Sequence, residues 1–350
     1  MTRRRALLVC PGRGSYERAS QGQFTARSSA ATAVVDRCDN FRSSVGRTAL
    51  SALDRADWSA RAHIAGENAS LLTAACSWAD AADLDDSRYE VVGVVGNSMG
   101  WYTALFLAGV LTLDDAIVLV DTLGSYQENN VIGGQVLMPV CGEDWCPDAD
   151  AQAVVEHAIS EARAAGFVVE HSIRLVGYAV LGADVGGLKF LMATLPQLTR
   201  GARTFPVQLP LHSAFHTSLM GATAEKARAD LGGLQWRTPS VPVVDGRGVV
   251  FRPRWADPSA IAAWTLGAQI TETFDLTTTL KTALRHTAPE VVVALGPGNA
   301  LGGPLARAIV WEGWRGMRTR ADFDAAQQSS EPPLLSFGVK LQRVRLTRGG

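Results

Sequence analysis

A serine stands between two glycines in Gly96-Asn97-Ser98-Met99-Gly100, which matches G-x-S-x-G. That pattern makes the sharp strand-to-helix turn that lifts a serine hydroxyl to the edge of a sheet. A serine hydroxyl is a poor nucleophile until a base takes its proton. Six histidines are available: His63, His157, His171, His212, His216 and His286. His157 falls in a polar helical stretch, His171 in a stretch of different texture, and His63 and His286 in polar surroundings. His212 and His216 lie together in PLHSAFHTSLM, where an apolar strand gives way to a loop of small residues. Strand ends are where a parallel α/β sheet presents its chemistry. Spacing alone does not choose between these two histidines.

The elements around the serine fit such a turn. YEVVGVVG (89–96) is a continuous β-branched run, the mark of a strand buried on both faces. WYTALFLAG follows with helical periodicity and stops at Gly109, and Thr112 with Asp115 forms a capping box that opens LDDAIVLVDTL. ALLVC (6–10) reads as a short buried strand ending in PGRGS, and 66–82 reads as a helix of small and apolar residues. Between 131 and 205 the order is β-α-β-β-α-β, which suggests a ferredoxin-like unit. A further core strand is expected near VVVALG (291–296). The expected organisation is an α/β core built from 1–130 and 206–328, a ferredoxin-like subdomain at 131–205, and a surface tail at 329–350.

Composition narrows the function classes. The chain is 47% hydrophobic and 19% charged with a net charge of −1. This balance gives no reason to expect nucleic acid or an anionic membrane as partner. Five cysteines show no repeating spacing, and CGEDWC (141–146) has no nearby partner pair for zinc. Free thiols and no metal are the expectation. The apolar run after MTRRR falls short of the roughly seven to fifteen residues of a signal peptide. Nor does any stretch approach the ~20 needed to span a bilayer. A cytoplasmic location is expected.

The motifs together resemble the malonyl-CoA:acyl carrier protein transacylase family, including the acyltransferases of polyketide synthases. The anchors are PGRGS (11–15), ENASLLTAA (67–75), GNSMGWYTALFLAGVLTLDDAIVLV (96–120), SAFHTSLM (213–220), AQITETFD (268–275) and GPGNALGG (296–303). The resemblance spans roughly residues 6–327. It implies a parallel-sheet, α/β-hydrolase-like core with an inserted ferredoxin-like subdomain. It also implies that Ser98 accepts the acyl group and that His216, rather than His212, is its base. A main-chain carbonyl orients the histidine in that family, and Gln269 stands at the matching position. The oxyanion hole would use the amides of Met99 and Arg13, and the substrate pocket would include Asn97, Trp101, Leu123 and Phe215.

Four departures bear on substrate. The arginine that clamps the malonyl carboxylate in the family is Leu123 here, and leucine cannot pair a carboxylate. Asn97 replaces the usual histidine before the serine, and Trp101 the usual glutamate after the second glycine. Arg13 replaces a glutamine; its side chain is expected to point outward or to pack on Trp101. Turned inward, it could hold a carboxylate from the opposite wall. The implied activity is transfer of an acyl group other than malonyl from a CoA or carrier-protein thioester to an acyl carrier protein. Phosphopantetheine thioesters are then substrates, and no bound cofactor is required. An acyl hydrolase and a non-catalytic carrier-protein-binding homologue are the alternatives. A monomer is expected, and Arg200 and Arg203 are candidates for docking an acidic carrier protein.

Overall fold

The computed structural model describes residues 2–128 and 131–348. In chain order the strands are β1 (Arg4–Cys10), β2 (Tyr89–Gly96), β3 (Gly134–Pro139), β4 (Val169–Arg174), β5 (Tyr178–Ala183), β6 (Leu198–Arg200), β7 (Arg203–Phe205), β8 (Val207–Gln208), β9 (Val243–Val244), β10 (Val250–Phe251), β11 (Phe274–Asp275), β12 (Val291–Ala294) and β13 (Leu334–Ser336).

The larger sheet has the order β10-β9-β2-β1-β12-β13. Every neighbouring pair is parallel except β10 with β9. β1 and β12 sit in the middle and are apolar on both faces: Ala6, Leu7, Leu8, Val9, Val291, Val292 and Val293 are all buried. Such doubly buried strands need helices on both faces, since an exposed apolar face would stay in contact with water. Helices Gly66–Asp83, Gly100–Leu107 and Leu113–Ser125 supply part of that cover. Thr112 caps the last of these, accepting from the Asp115 amide at 3.1 Å, as its sequence signature predicts.

The smaller sheet has the order β11-β4-β5-β3-β8. Without β11 this is the β-α-β-β-α-β unit expected from 131–205, with helices Ala149–Ala164 and Val185–Thr194 between its strands. Those helices cover one face, where Val136, Met138, Val169, Leu181 and Ala183 form a separate core. The unit reaches past the expected boundary: β8 lies at 207–208, and β11 is lent by the core segment and runs parallel to β4.

The last residues correct an expectation. Of the segment 329–350 expected as a surface tail, the described residues 329–348 do not form one. β13 pairs in parallel with β12, so the segment completes the edge of the main sheet. Leu335 and Leu346 are fully buried. The run of Ser, Glu and Pro before this strand is a connecting loop rather than the start of a solvated end. No helix among the described residues is long and apolar enough to cross a membrane.

Candidate active site

β2 ends at Gly96, and the helix Gly100–Leu107 begins four residues later. So short a reversal brings backbone against backbone. A Cβ on Gly96 would lie 2.0 Å from the Gly100 carbonyl carbon, and one on Gly100 would lie 2.3 Å from the Cys10 oxygen. Both flanking positions therefore exclude side chains. Ser98 is at the apex with φ of 55°, in the left-handed region that a residue with a Cβ seldom adopts. Strain of this kind, held by its surroundings, is what projects the hydroxyl away from the sheet.

His216 reaches the same point from the loop after β8. Its Nε2 is 2.7 Å from Ser98 Oγ, and its Nδ1 is 2.6 Å from the main-chain oxygen of Gln269. A carbonyl oxygen can only accept, so Nδ1 carries the proton and Nε2 offers its lone pair to the serine hydroxyl. Burial lowers the imidazole from its ordinary 6.5 to about 4, against the upward pull of the Gln269 carbonyl. The ring is thus a neutral base at neutral pH. Gln269 also acts through its side chain: Nε2 donates to the Ser98 carbonyl at 3.2 Å, and Oε1 accepts from the Tyr102 hydroxyl. Tyr102 was not foreseen, although it lies one helical turn beyond Ser98 and therefore on the same face.

The pair opens into a cavity of about 800 Å³, within the range of small-molecule sites. Met99, Arg13, Asn97, Leu123, Phe215 and His212 all line it. Neither the Met99 nor the Arg13 amide donates to an acceptor among the described residues. The two segments adjoin, since a Cβ on Gly12 would lie 3.6 Å from Ser98 Cβ. Asn97 Oδ1 is buried with no hydrogen-bond partner among the described residues.

Two expectations about the pocket are corrected. Trp101 does not line it. Its ring is fully buried against Phe251, with Nε1 donating to Thr265 Oγ1 at 2.9 Å, because the helix turns position 101 toward the core. Arg13 neither points outward nor packs on Trp101. It runs into the cavity, where Nη1 donates to Gln127 Oε1 at 2.6 Å and Nη2 to the Leu211 oxygen at 2.9 Å. Its guanidinium lies 5.7 Å from the Phe215 ring centroid, and enclosure lowers its pKa to about 10 against the opposing charge of Glu67. Gln127 lies four residues beyond Leu123, just past the end of the helix Leu113–Ser125.

The remaining histidines stay apart from the serine. His157 is exposed, His171 pairs with Glu156, and His63 stacks on Trp58 in the core. His212 lies at the cavity wall with Nδ1 bonded to the Pro210 oxygen, and burial lowers it to about 3. Arg200 pairs with Glu143 at 3.1 Å, while Arg203 sits in the β6–β7 hairpin at the cavity wall. No group of three or more His, Cys, Asp or Glu able to hold a metal occurs among the described residues.

No family model matches the chain. Among curated proteins it is similar to the malonyl CoA-acyl carrier protein transacylase of Escherichia coli K12, with 28% identity over 154 residues. That match covers 43% of this chain and 46% of the relative, so the chain spans about half the length of the relative it matches. The transacylase of Haemophilus influenzae is 25% identical over 219 residues, 62% of this chain and 65% of the relative. Among solved structures, the acyl-carrier-protein S-malonyltransferase of Burkholderia pseudomallei 1710b superposes with a TM-score of 0.74 at 20% identity, covering 97% of this chain and 98% of that one. A type II polyketide synthase acyl carrier protein in complex with its malonyl-transacylase gives 0.71 at 20% identity, covering 99% and 100%. At these identities the structural likeness establishes the fold: an α/β core with a ferredoxin-like subdomain.

Proposed function

We propose, from the resemblance of this chain to the malonyl-CoA:acyl carrier protein transacylase family, that it is an acyltransferase with an acyl-Ser98 intermediate. The supporting observation is the hydrogen-bonded line from Ser98 Oγ to His216 Nε2 at 2.7 Å and from Nδ1 to the Gln269 oxygen at 2.6 Å. His216 takes the Ser98 proton as Oγ attacks the thioester carbonyl. The oxyanion that forms is held by the amides of Met99 and Arg13, each such donor being worth about 10²–10³-fold in rate. The thiol departs with the proton from His216 and leaves a serine ester. A second thiol, on the phosphopantetheine arm of an acyl carrier protein, then attacks the ester carbonyl with His216 again as base. The acyl–Oγ bond breaks, His216 returns the proton to Ser98 Oγ, and a new thioester leaves. Every proton in this cycle passes through one imidazole.

The acyl group in this reading is not malonyl held as the family holds it. Leu123 cannot pair a carboxylate, and an unpaired carboxylate against it would lose its hydration without return. Arg13 does enter the cavity, but Gln127, the Leu211 carbonyl and the Phe215 ring already engage its guanidinium. The donor is a CoA or carrier-protein thioester, and the chain works as a cytoplasmic monomer. Incubation with a panel of acyl thioesters, followed by intact-mass measurement, tests the proposal. Adducts on the wild-type chain that vanish in Ser98→Ala support it, and adducts that persist in Ser98→Ala refute it. Release of free acid at the same rate with and without carrier protein would replace transfer by hydrolysis.

A further inference from the structure

The helix-free face of the smaller sheet carries a continuous apolar stripe. Val207 of β8 is opposite Leu137 of β3, Leu137 is opposite Val180 of β5, and Val180 is opposite Ile173 of β4. One register line therefore crosses four strands through four branched aliphatic residues, and all four line the cavity. Three inter-strand steps of about 4.8 Å give this line a length of about 14 Å.

The stripe starts beside the nucleophile. The next register line on the same face pairs Gln135 with Gly182, and the His216 loop rests on it. A Cβ on Gly182 would lie 2.5 Å from Thr217 Cγ2, and Ser172 Oγ donates to the Phe215 oxygen at 2.8 Å. Two residues along these strands, about 7 Å, lies the stripe. His216 itself stands at the β11 end of the sheet, its ring 5.6 Å from that of Phe274. The order β11-β4-β5-β3-β8 then places Ile173 nearest the reacting serine and Val207 farthest from it.

Ile173 and Val180 are already buried in the main core and form the closed base of this wall, while Leu137 and Val207 are only half-buried where they line the cavity. Apolar surface left open to a cavity is stabilised when something apolar covers it. We propose that the line Ile173–Val180–Leu137–Val207 holds the hydrocarbon chain of an unbranched, uncharged fatty acyl thioester of medium length. This inference rests on the acyl-transfer reading above. A zigzag carbon chain with bonds of about 1.5 Å advances about 1.25 Å per carbon, so the stripe is matched by roughly eight to twelve carbons. Each buried methylene shifts partition by roughly fourfold, so short acyl groups gain little from this surface.

The experiment is the rate of intact-mass labelling of the full chain by acetyl, malonyl, hexanoyl, decanoyl and tetradecanoyl thioesters. It is run on the wild type, Val180→Phe and Val207→Trp, with Ser98→Ala as control. The wild type is expected to favour decanoyl over acetyl and malonyl by at least roughly tenfold. Val180→Phe, at mid-stripe, should move the optimum to hexanoyl or shorter. Val207→Trp, at the outer edge strand and least disruptive to packing, should slow only the decanoyl and tetradecanoyl donors. Malonyl or acetyl labelling as fast as decanoyl would overturn the inference. So would an equal slowing of every donor in both variants, which would assign the stripe to the pantetheine arm. If labelling is fast but independent of Ser98, it is the acyl-transfer reading that fails. The two failures are therefore distinguishable.

Discussion

Gln269 holds Ser98 and His216 at once, through different atoms: its main-chain oxygen orients the imidazole at 2.6 Å and its side-chain amide donates to the Ser98 carbonyl at 3.2 Å. The two functions are separable by mutation. Gln269→Ala keeps the carbonyl that fixes the tautomer and removes only the clamp on the turn and the bond from Tyr102. One neutral hydrogen bond is worth about 1 kcal/mol, or roughly fivefold. Acylation should therefore slow by about five- to twentyfold with little change in KM, while Ser98→Ala abolishes it. Stopped-flow acylation kinetics check both. A loss in Gln269→Ala as complete as in Ser98→Ala would place an essential role on the side chain.

On the proposed mechanism, acid should silence acylation at Ser98 at a lower pH than an ordinary histidine base would. The base must be neutral, and burial brings His216 from 6.5 down to about 4. The acylation rate should be level from about pH 5.5 to 8 and fall on the acid side with a midpoint near 4. Stability follows the same sign. Above pH 6.5 the ring is neutral folded and unfolded, and no difference arises. Below it the unfolded chain binds a proton that the native state refuses until about 4, so stability declines as pH falls through that window. His212, held down to about 3, adds to the decline in the same direction. A shift of about two and a half units, from 6.5 to about 4, is worth on the order of 3 kcal/mol. Chemical denaturation at pH 7.5, 6, 5 and 4 measures it. A midpoint that rises toward pH 5 would contradict the assignment.

The glycines around Ser98 are predicted to be intolerant for steric reasons that precede catalysis. Gly96→Ala puts a methyl 2.0 Å from the Gly100 carbonyl, and Gly100→Ala puts one 2.3 Å from the Cys10 oxygen. Neither obstacle is the end of a flexible side chain, so β2, the helix and the end of β1 must separate. Destabilisation by several kcal/mol is expected, at the severe end for single substitutions. Thermal melts should show it as a large drop in Tm or loss of soluble protein. Gly221→Ala, where an added Cβ meets nothing within 4 Å, is the control and should melt near the wild type.

Much of this site was legible in the sequence because its constraints are local. G-x-S-x-G after a β-branched run specifies a turn whose sterics depend on five consecutive residues. Thr112 and Asp115 likewise announce their helix start within four residues. What depends on long-range packing was not legible. The direction of Arg13 is decided by Gln127 and Leu211, 114 and 198 residues away. The family resemblance puts Trp101 at the pocket, yet Thr265 and Phe251 draw it to the core. Choosing His216 over His212 needed family resemblance, since both lie in the same short loop. The cross-strand stripe is a matter of register among four strands, which no single segment encodes.

The final segment provides a prediction that opposes its appearance in sequence. QQSSEPP reads as the beginning of a solvated end, yet β13 behind it pairs with β12 at Val292, Val293 and Ala294. Leu334, Leu335, Phe337 and Leu346 are buried, and burying such side chains stabilises by about 1.5–3 kcal/mol each. Arg343 also reaches the buried Asp80, whose carboxylate accepts from the Gly296 amide at 2.7 Å. Removing residues 329–350 should strip one parallel neighbour from a central strand and leave its backbone groups as an open edge, a template for association between chains. The truncated chain should aggregate or melt far below the full chain, as size-exclusion chromatography and calorimetry would report. If it stays monodisperse with an unchanged Tm, β13 is dispensable and its packing against β12 contributes nothing to the core.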